Sequence, residues 1–482
     1  MKKISIILVL IIAFSFASEA QTEVDALRYS QLTSGGTARF LSTGGAFGAV
    51  GADFSVLSMN PAGIGFYKKS ELTFTPSLFT SKSESMFNGN PGEDSKYNFN
   101  FSNVGIVLAF DADNGQSSEW KNVQFGFGMN RTNNFNNRTI ISGDNDETSL
   151  MDDYILKANG TPSNELDPFD TQLAWDTYLL DPSSIGTNNY FSRVPMGGIK
   201  QTKEITSWGS MNEMVFSFGG NYNDKLYLGA TMGIPYIRYT EESVYTEELD
   251  PDTIQGFKSF TVYDNLETKG SGFNFKFGMI YRINDWVRVG AAVHTPTFYS
   301  MHDNYSRQIS SDLDSATYEA ESPSGIYDYQ LTSPMRAIGS IAFIIGKRGL
   351  ISADYEFIDY STARLRSEQN QSLNAFSEVN SKINTIYTTT NNIRIGAEWN
   401  LAPIKIRGGY ALYGSPFKSG INDGKSTSYT AGFGFREKGY FLDFAYVYSI
   451  HSEDYYLYPS VGSETKLDRI TNSFLMTLGF KF

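Results

Sequence analysis

The chain has 482 residues, among them 36 Phe, 30 Tyr, 44 Gly and no Cys, and its formal net charge is −13. The acidic balance argues against nucleic acid as a partner, because such binding calls for a basic patch, and without Cys a secreted chain must gain stability from something other than disulfides. After the first 20 residues no stretch approaches 18 consecutive apolar residues, which argues against helical membrane spans. Abundant aromatic residues and Gly at a mean hydropathy of −0.29 are typical of a membrane β-barrel, whose strands are apolar on one face only.

Residues 1–20 have the pattern of a cleaved secretory signal peptide. Lys2 and Lys3 precede an apolar run over residues 4–16, and a small-x-small cleavage site ends at Ala20. The run is short for a membrane helix, so an uncleaved anchor is the less favoured alternative. Cleavage removes two lysines and one glutamate, which moves the net charge from −13 to −14.

The following segment, residues 21–67, predicts a plug rather than a free-standing domain. Its part from residue 34 onward is rich in small residues and ends near the tetrapeptide Asn60-Pro61-Ala62-Gly63. Its many glycines cost backbone entropy and supply no side chain to a core. Such a chain suits a confined space with walls close on every side, so we expect it inside a barrel built by residues 68–482.

Residues 68–482 predict an all-β, membrane-spanning antiparallel barrel of about fourteen strands. Apolar and aromatic residues alternate with Gly, Ser, Thr or charged residues along each strand. A closed barrel has no free edge, so the last strand, which ends at Phe482, must pair with the first. A doubtful strand at residues 257–263 is left out of the count. The predicted strands are residues 71–79, 98–110, 123–130, 213–218, 226–233, 273–282, 287–294, 335–345, 350–358, 393–399, 404–410, 429–435, 442–449 and 474–482.

The connections alternate between short turns and long loops. Membrane barrels have short periplasmic turns and long extracellular loops, whereas a soluble sandwich has no reason for this asymmetry. The longest break, residues 131–210, predicts a surface loop with helical patterning around residues 147–157 and 170–180, a separate small domain being the alternative. Residues 301–332 and 361–390 are also predicted as loops.

The polar face of the strands carries charges that we expect to be solvated in a wet lumen, with a porin-like ion path as the alternative. These charged residues are Lys276, Arg282, Arg288, Asp354, Glu356, Arg394, Glu398, Lys405, Arg407 and Asp443.

The mature chain resembles the FadL-type outer-membrane transporters, a family that includes the TodX-like aromatic hydrocarbon channels. The best local match is the small-residue segment that leads into Asn60-Pro61-Ala62-Gly63 and the first strand. The resemblance is also supported by residues 277–293 and by residues 393–416, the second of which ends in Gly414-Ser415-Pro416. Alternating apolar residues up to the terminal Phe482 resemble the signal that outer-membrane assembly machinery recognises.

The resemblance implies a fourteen-stranded barrel whose N-terminal hatch blocks the lumen. It implies that extracellular loops capture hydrophobic substrates, which leave sideways through a gap at an inward kink of the third strand, without an energy source. Carried over residue by residue, Asn60, Pro61 and Ala62 match the hatch motif. The third strand, residues 123–130, offers Gly126 and Gly128 as kink positions, since Gly inside a strand often marks a bend. The second extracellular loop, of about eighty residues, departs from the family.

The resemblance therefore implies passive uptake of long-chain fatty acids or aromatic hydrocarbons across the cell outer membrane, in contact with its lipid and lipopolysaccharide. We expect no enzymatic activity, no cofactor and no metal. A role in protein secretion, as a shuttle for exported cargo, is the alternative from another class. The weakest alternative is a phospholipase centred on His294, which lacks a recognisable nucleophile motif. Residues 44–51 resemble a phosphate cradle but lack the strand–turn–helix context, and three scattered His do not support a haem site.

Overall fold

The computed structural model describes residues 21–482 apart from 34, 113–117, 185, 250–255, 315 and 369–374. The predicted signal peptide, residues 1–20, lies outside the described residues. The strands are β1 (Glu71–Phe87), β2 (Asn90–Asp111), β3 (Trp120–Asn134), β4 (Asn137–Asn145), β5 (Leu180–Pro182), β6 (Tyr190–Ser192), β7 (Ile199–Tyr222), β8 (Leu226–Leu249), β9 (Ser259–Arg282), β10 (Val287–His294), β11 (Phe298–Asp312), β12 (Thr317–Glu321), β13 (Gly325–Thr332), β14 (Arg336–Ile345), β15 (Gly349–Asp359), β16 (Arg364–Ser367), β17 (Thr389–Leu401), β18 (Ile404–Tyr413), β19 (Ser426–Arg436), β20 (Tyr440–Tyr455) and β21 (Thr465–Lys481).

Short helices lie in the N-terminal segment and in the loops. The α-helices are α1 (Glu23–Arg28), α2 (Ala38–Leu41), α3 (Leu150–Ala158), α4 (Thr171–Asp176) and α5 (Ser377–Ile386). The 3₁₀-helices are Phe54–Ser58, Pro61–Phe66, Ser163–Glu165 and Tyr360–Thr362. No helix among the described residues is long and apolar enough to cross a bilayer.

The large sheet closes on itself as an antiparallel barrel with fourteen strand positions. β1 pairs with β2 on one side and with β21 on the other, which closes the wall as the sequence predicted. Some positions are built from two consecutive strands that share a neighbour: β3 and β4 both pair with β7, and β10 and β11 both pair with β9. The fourteen-stranded barrel is thereby confirmed.

The outward face of the wall forms an apolar band, as the alternation predicted. On β9, Phe273, Phe275 and Phe277 are 42–55% exposed, whereas the intervening Asn274 and Lys276 are buried. A continuous belt of exposed aromatic and aliphatic side chains is unfavourable against water over such an area. Such a band is typical of a barrel surface that faces the hydrocarbon core of a membrane.

The strands run farther beyond the apolar band than the sequence predicted. The expected loop over residues 131–210 is shorter, because β3 and β4 reach Asn145 and β7 begins at Ile199. Residues 257–263 belong to one continuous strand, β9, and residues 301–332 form β11, β12 and β13 instead of a loop. Beyond the band both strand faces meet polar or loop surroundings, so the alternation that identifies a strand disappears. The helical patterns near residues 147–157 and 170–180 correspond to α3 and α4.

The three largest apolar clusters of the described residues follow one another from the short turns to the long loops. Residues 38–67 pack against the wall near the short turns, with Phe47, Phe54 and Leu57 almost fully buried. α1 and α5 meet the middle of the wall around Tyr29 and Tyr329. At the far end, residues 146–184 and 186–198, which we call the cap, pack on the rim of the barrel.

Candidate functional site

The N-terminal segment, residues 21–67, lies in the lumen because it touches inward-facing groups on opposite sides of the closed wall. Ala38 N donates to Thr477 Oγ1 of β21 at 2.7 Å, and Gly48 N donates to Asp354 Oδ1 of β15 at 3.2 Å. On another side, the His294 ring of β10 lies 2.6 Å from Met59 O. The segment is therefore anchored around the whole circumference.

The inward-facing charges pair with one another and with this segment, which corrects the expectation of a solvated lumen. Glu356 lies between Arg336, at 3.1 Å, and Arg394, at 2.9 Å, and all three are buried. Arg336 also donates to Ser30 O at 2.6 Å. Breaking a buried pair leaves an uncompensated charge and costs about 3–5 kcal/mol. The charges thus hold the segment in place.

A second network of charges holds the small-residue part of the segment. Arg39 Nε lies 3.0 Å from Glu398, and Arg407 joins Glu398 to Asp443 at 2.7 and 2.8 Å. Separately, Arg288 Nη1 donates to Val50 O at 3.0 Å. Alternation along the strands predicted that these charges face inward, but their partners on a segment 238 to 359 residues away were beyond any local pattern.

Asn60 links the N-terminal segment to the wall. It is fully buried and begins the 3₁₀-helix Pro61–Phe66, where its Oδ1 accepts from Ala62 N at 3.2 Å. Its Nδ2 donates to Gly48 O at 2.6 Å and to Met279 O of β9 at 3.3 Å. Pro at the first helical position loses no hydrogen bond there. The motif thus forms a turn whose first side chain bonds both the segment and the barrel.

Glycines on the wall provide the flat surface on which the segment rests. At each of them a Cβ would lie within 3.0 Å of an atom of the segment. Side chains larger than hydrogen would therefore push the segment off the wall. They are Gly105 of β2, Gly126 and Gly128 of β3, Gly219 of β7, Gly229 of β8, Gly278 of β9, Gly290 of β10, Gly396 of β17, Gly409 of β18 and Gly432 of β19.

Gly126 and Gly128 belong to this glycine surface. A Cβ at Gly126 would lie 2.6 Å from Leu57 Cδ1, and one at Gly128 would lie 2.6 Å from Phe54 Cζ. β3 pairs with β2 and with β7 on both sides of these positions. β3 has two register shifts against β7, one below these glycines, between Trp120 and Asn122, and one above them, between Arg131 and Asn133.

Above this point the barrel wall opens between β2 and the third strand. β2 pairs with β1 from Asn90 onward, but with β3 only from Asn103 to Asp111. The continuation of β3 and β4 to Asn145 pairs with β7 alone. Residues 90–102 and residues 131–145 therefore face each other without strand pairing; we call this gap the split.

The third strand turns inward at the split. β4 crosses the inner face of β1, where Ser81 Oγ donates to Asn137 Oδ1 at 2.7 Å and Ser85 Oγ donates to Ile140 O at 2.6 Å. These serines occupy the buried, inward face of β1. β1 and β2 thus continue outside, while β4 moves into the lumen.

Residues 31–33, 35 and 36 lie along the inner side of the split. Thr33 N donates to Thr132 O at 2.9 Å on one edge, and Gly36 N donates to Ser102 Oγ at 3.0 Å on the other. Asn133 Nδ2 adds a bond to Gln31 O at 3.2 Å. This stretch, which we call the linker, connects α1 to α2 and occupies the space that strand pairing leaves open.

A small polar cavity lies beside the linker. Its volume is about 20 Å³, room for about one water molecule. Its lining includes Glu213, Lys276 and His294, of which Lys276 and Glu213 form a buried ion pair. The His294 ring is already bonded to Met59 O. Among the described residues, no group of three or more His, Asp or Glu is arranged to hold a metal ion.

Glu247 fixes the cap to the rim of the barrel, well above the apolar band. Its fully buried carboxylate accepts from Ser149 Oγ at 2.5 Å and from Leu150 N at 2.8 Å, both at the start of α3. Tyr245 and Gln201 of the rim donate to it at 2.6 and 3.2 Å. No Lys or Arg of the described residues pairs with it within 4.0 Å, and burial raises the pKa of Glu247 to about 7.

The docking of the cap is expected to weaken as the pH rises. An undocked Glu247 would return to its ordinary pKa of 4.5, so the docked state binds more protons between pH 4.5 and about 7. Docking is therefore strongest in acid and weaker by roughly 3 kcal/mol above neutrality. Hydrogen exchange of α3, corrected for intrinsic rates, should rise with pH in the wild type and stay level in Glu247→Gln. The exposed Glu204→Gln is the control, and an equal pH response in Glu247→Gln would contradict the assignment.

Solved structures share this architecture, although no protein-family model and no curated protein matches the sequence. A FadL homologue of Pseudomonas aeruginosa is 13% identical, with a TM-score of 0.55 over 94% of this chain and 100% of that chain. The toluene transporter TodX of Pseudomonas putida is 11% identical, with a TM-score of 0.54 over 94% and 100%. The toluene transporter TbuX of Ralstonia pickettii is 14% identical, with a TM-score of 0.52 over 93% and 99%.

Almost the full length of both chains is aligned in these comparisons. At identities of 11–14%, the similarity is one of backbone fold and not of side chains. The chain has the fold of the FadL-type channels.

Proposed function

We propose that this protein is a passive uptake channel of the outer membrane, which captures hydrophobic small molecules with its long loops and releases them sideways through the split. The split is the observation that supports this proposal most directly. It is a place where β2 and the third strand lack strand pairing, and it is lined from inside by the linker, held by a few hydrogen bonds, and by β4, which packs on the inner face of β1.

The location of the split supports release into lipid. It begins at the outer edge of the apolar band, and its β2 edge carries the exposed aromatic rings of Tyr97, Phe99 and Phe101. A hydrophobic molecule that leaves at this edge passes along apolar side chains into the membrane. In this proposal the N-terminal segment acts as a hatch that blocks the straight path, since its ion pairs and glycine contacts extend around the lumen.

The fold supports the same class of substrate. Two of the similar solved structures are described as toluene transporters and a third as a FadL homologue. Organic extracts of the purified barrel, analysed by mass spectrometry against an unrelated barrel in the same detergent, should be enriched in a fatty acid or an aromatic compound. A retained exported protein without such a compound would favour the secretion role instead.

Transport itself is tested by uptake of a radiolabelled fatty acid and of toluene into cells of a Gram-negative host that lacks its own channel of this kind. Expression of the protein should raise the initial rate for at least one compound, linearly with its concentration and without added energy. A rate equal to that of a host expressing an unrelated barrel would contradict uptake.

Asn60→Ala is expected to lower this uptake while the barrel still assembles. The change leaves Gly48 O and Met279 O without their donor, each buried unpaired group costing about 1–3 kcal/mol, and so disturbs the hatch and not the strand pairing. Asn188→Ala, an exposed position in the cap, is the control. Unchanged uptake by Asn60→Ala at equal surface abundance would count against a role of this motif.

A further inference from the structure

The outer surface of the barrel carries an apolar depression directly below the split. It has a volume of about 490 Å³, within the range of sites that hold organic ligands. Its sides are paired rings: Phe125 and Phe218 lie 5.2 Å apart, and Phe127 and Phe216 lie 4.9 Å apart. All four rings are about half exposed. The depression therefore opens outward, away from the lumen and the hatch.

Arg131 lies on the same strand, four residues above Phe127. Its Nε donates to Phe101 O across the split at 3.4 Å, a long and exposed bond. Among the described residues, no carboxylate lies within 4.0 Å of its guanidinium as an ion-pair partner. Most of the arginines that face the lumen differ in this respect, since Arg336, Arg394 and Arg407 reach carboxylates, whereas Arg288 bonds the backbone oxygen of Val50.

Neighbouring contacts place the Arg131 side chain on the outer side of the wall. Met129, two residues below, is contacted by the hydroxyl of Tyr236 of β8 at an O–S distance of 3.1 Å. Met129 lies on the same outward-facing side of β3 as Phe127, and Tyr236 lies on the same outward-facing side of β8 as Met232. Tyrosine and arginine in this arrangement are typical of a membrane–water interface.

The height of Arg131 agrees with that interface. Trp120, at the start of β3, is 40% exposed at the end with the short turns. Arg131 is eleven residues farther, about 36 Å along the strand, or roughly 28 Å along the barrel axis at a tilt of about 40°. The apolar band of membrane barrels is about 25 Å tall. Arg131 thus lies at the outer edge of the band, and the depression lies at the depth of the outer-leaflet acyl chains.

We propose that Arg131 and the depression form a binding site for one membrane lipid with an anionic phosphate headgroup. The guanidinium binds the phosphate in a bidentate manner, as its planar fork favours, while an acyl chain lies in the depression against the exposed faces of the phenylalanine rings. The span of about 13 Å between Arg131 and Phe127 matches the distance from a headgroup to the middle of its chain. The bound lipid covers the outer side of the split, opposite the linker.

The test is lipid retention, which does not require transport. The purified barrel is reconstituted in nanodiscs that contain equal amounts of dioleoyl phosphatidylglycerol and dioleoyl phosphatidylcholine, and the lipids that remain bound are counted by native mass spectrometry. We expect the wild type to retain one phosphatidylglycerol in about tenfold preference over phosphatidylcholine, as a charge-assisted bond allows. Arg131→Gln should abolish the preference. Arg138→Gln is the matched control, because Arg138 lies nearby but faces Asp94 at 3.8 Å.

A second pair of variants tests the depression. Phe127→Ala should lower retention of phosphatidylglycerol, whereas Phe433→Ala, an equally exposed ring of the band on β19, should not. Assembly of each variant is checked by its heat-modifiable migration. Equal retention of both lipids by the wild type, or an undiminished preference in Arg131→Gln, would overturn the proposal. If inorganic phosphate alone displaces the bound phosphatidylglycerol, the site is a simple anion site. If oleate displaces the lipid, the site belongs to the transported molecule. Either result also overturns the proposal.

Discussion

Oxidation of a Thr33→Cys/Thr132→Cys double variant is expected to abolish nearly all uptake, and a reducing agent should restore it. Thr33 N bonds Thr132 O at 2.9 Å, as neighbouring extended chains do, and this spacing suits a disulfide. The bond would fix the linker to the edge of the third strand. If substrates leave through the split, the linker has to move, and the cross-linked fraction should be inactive. The chain has no other Cys, so the cross-link has no competing partner.

Two controls separate this effect from a general effect of cross-linking. Each single Cys variant should transport normally under oxidising and reducing conditions. In Ser428→Cys/Ser449→Cys, the bond would join β19 and β20, which already pair at these residues and lie far from the split. Uptake should be unchanged there. Normal uptake by the oxidised Thr33→Cys/Thr132→Cys protein, with the disulfide verified by mass spectrometry, would show that release does not use the split.

The barrel was predictable from the sequence because its membrane-facing part obeys a local rule. Along residues 273–281 of β9, every second side chain is large and apolar, and the structure exposes that set while it buries the polar set between them. The rule needs no knowledge of the neighbouring strands. Repeated over the chain, it yields the fourteen strands and their inward and outward faces.

The same rule fails where neither face of a strand meets lipid. Residues 131–145 contain Asn, Thr and Arg on both faces, so they predict a loop, although they form β3 and β4. The split is a property of register, since it exists because β2 and β3 stop pairing at Asn103 and Asn130. No residue type marks that position in a single sequence. The resemblance implied an inward kink of the third strand, and the inward turn of β4 lies above the glycines named for it.

The site was partly visible in the sequence. Asn60, Pro61 and Ala62 were singled out as a motif, and the structure gives Asn60 bonds to both the segment and the wall. What remained invisible was the surface beneath the motif, because Gly229, Gly278 and Gly290 lie on three neighbouring strands and no pattern within one strand brings them together. Glycine at inward-facing positions of consecutive strands is the signal that would have revealed it. The ion pairs were predictable only in part, because alternation shows that a charged side chain faces inward but not which residue it contacts.

Gly278→Ala is expected to have the second largest effect and to reveal how the hatch is held. A Cβ at this position would overlap Asn60 Oδ1 and would lie 3.0 Å from Ala62 N and from Pro61 Cδ. Neither neighbour can retreat, because Asn60 also bonds Gly48 O and the 3₁₀-helix follows directly. Overpacking of this kind costs about 1–3 kcal/mol. We expect this cost to weaken the contact between hatch and wall and to leave the strand pairing of β9 intact. We therefore expect a folded barrel with a loosened hatch.

The expected result is ion conductance in planar bilayers together with a lower melting temperature. Gly339→Ala is the matched control, because a Cβ there would meet nothing within 4 Å, although Gly339 also lies in the middle of a paired strand. If loss of strand glycine alone mattered, the two variants would behave alike. If the glycine surface holds the hatch, Gly278→Ala conducts and Gly339→Ala stays closed. Two closed channels of equal stability would mean that the ion pair of Arg39 and the hydrogen bonds donated by Arg288 and Arg336 suffice to keep the hatch in place without this contact.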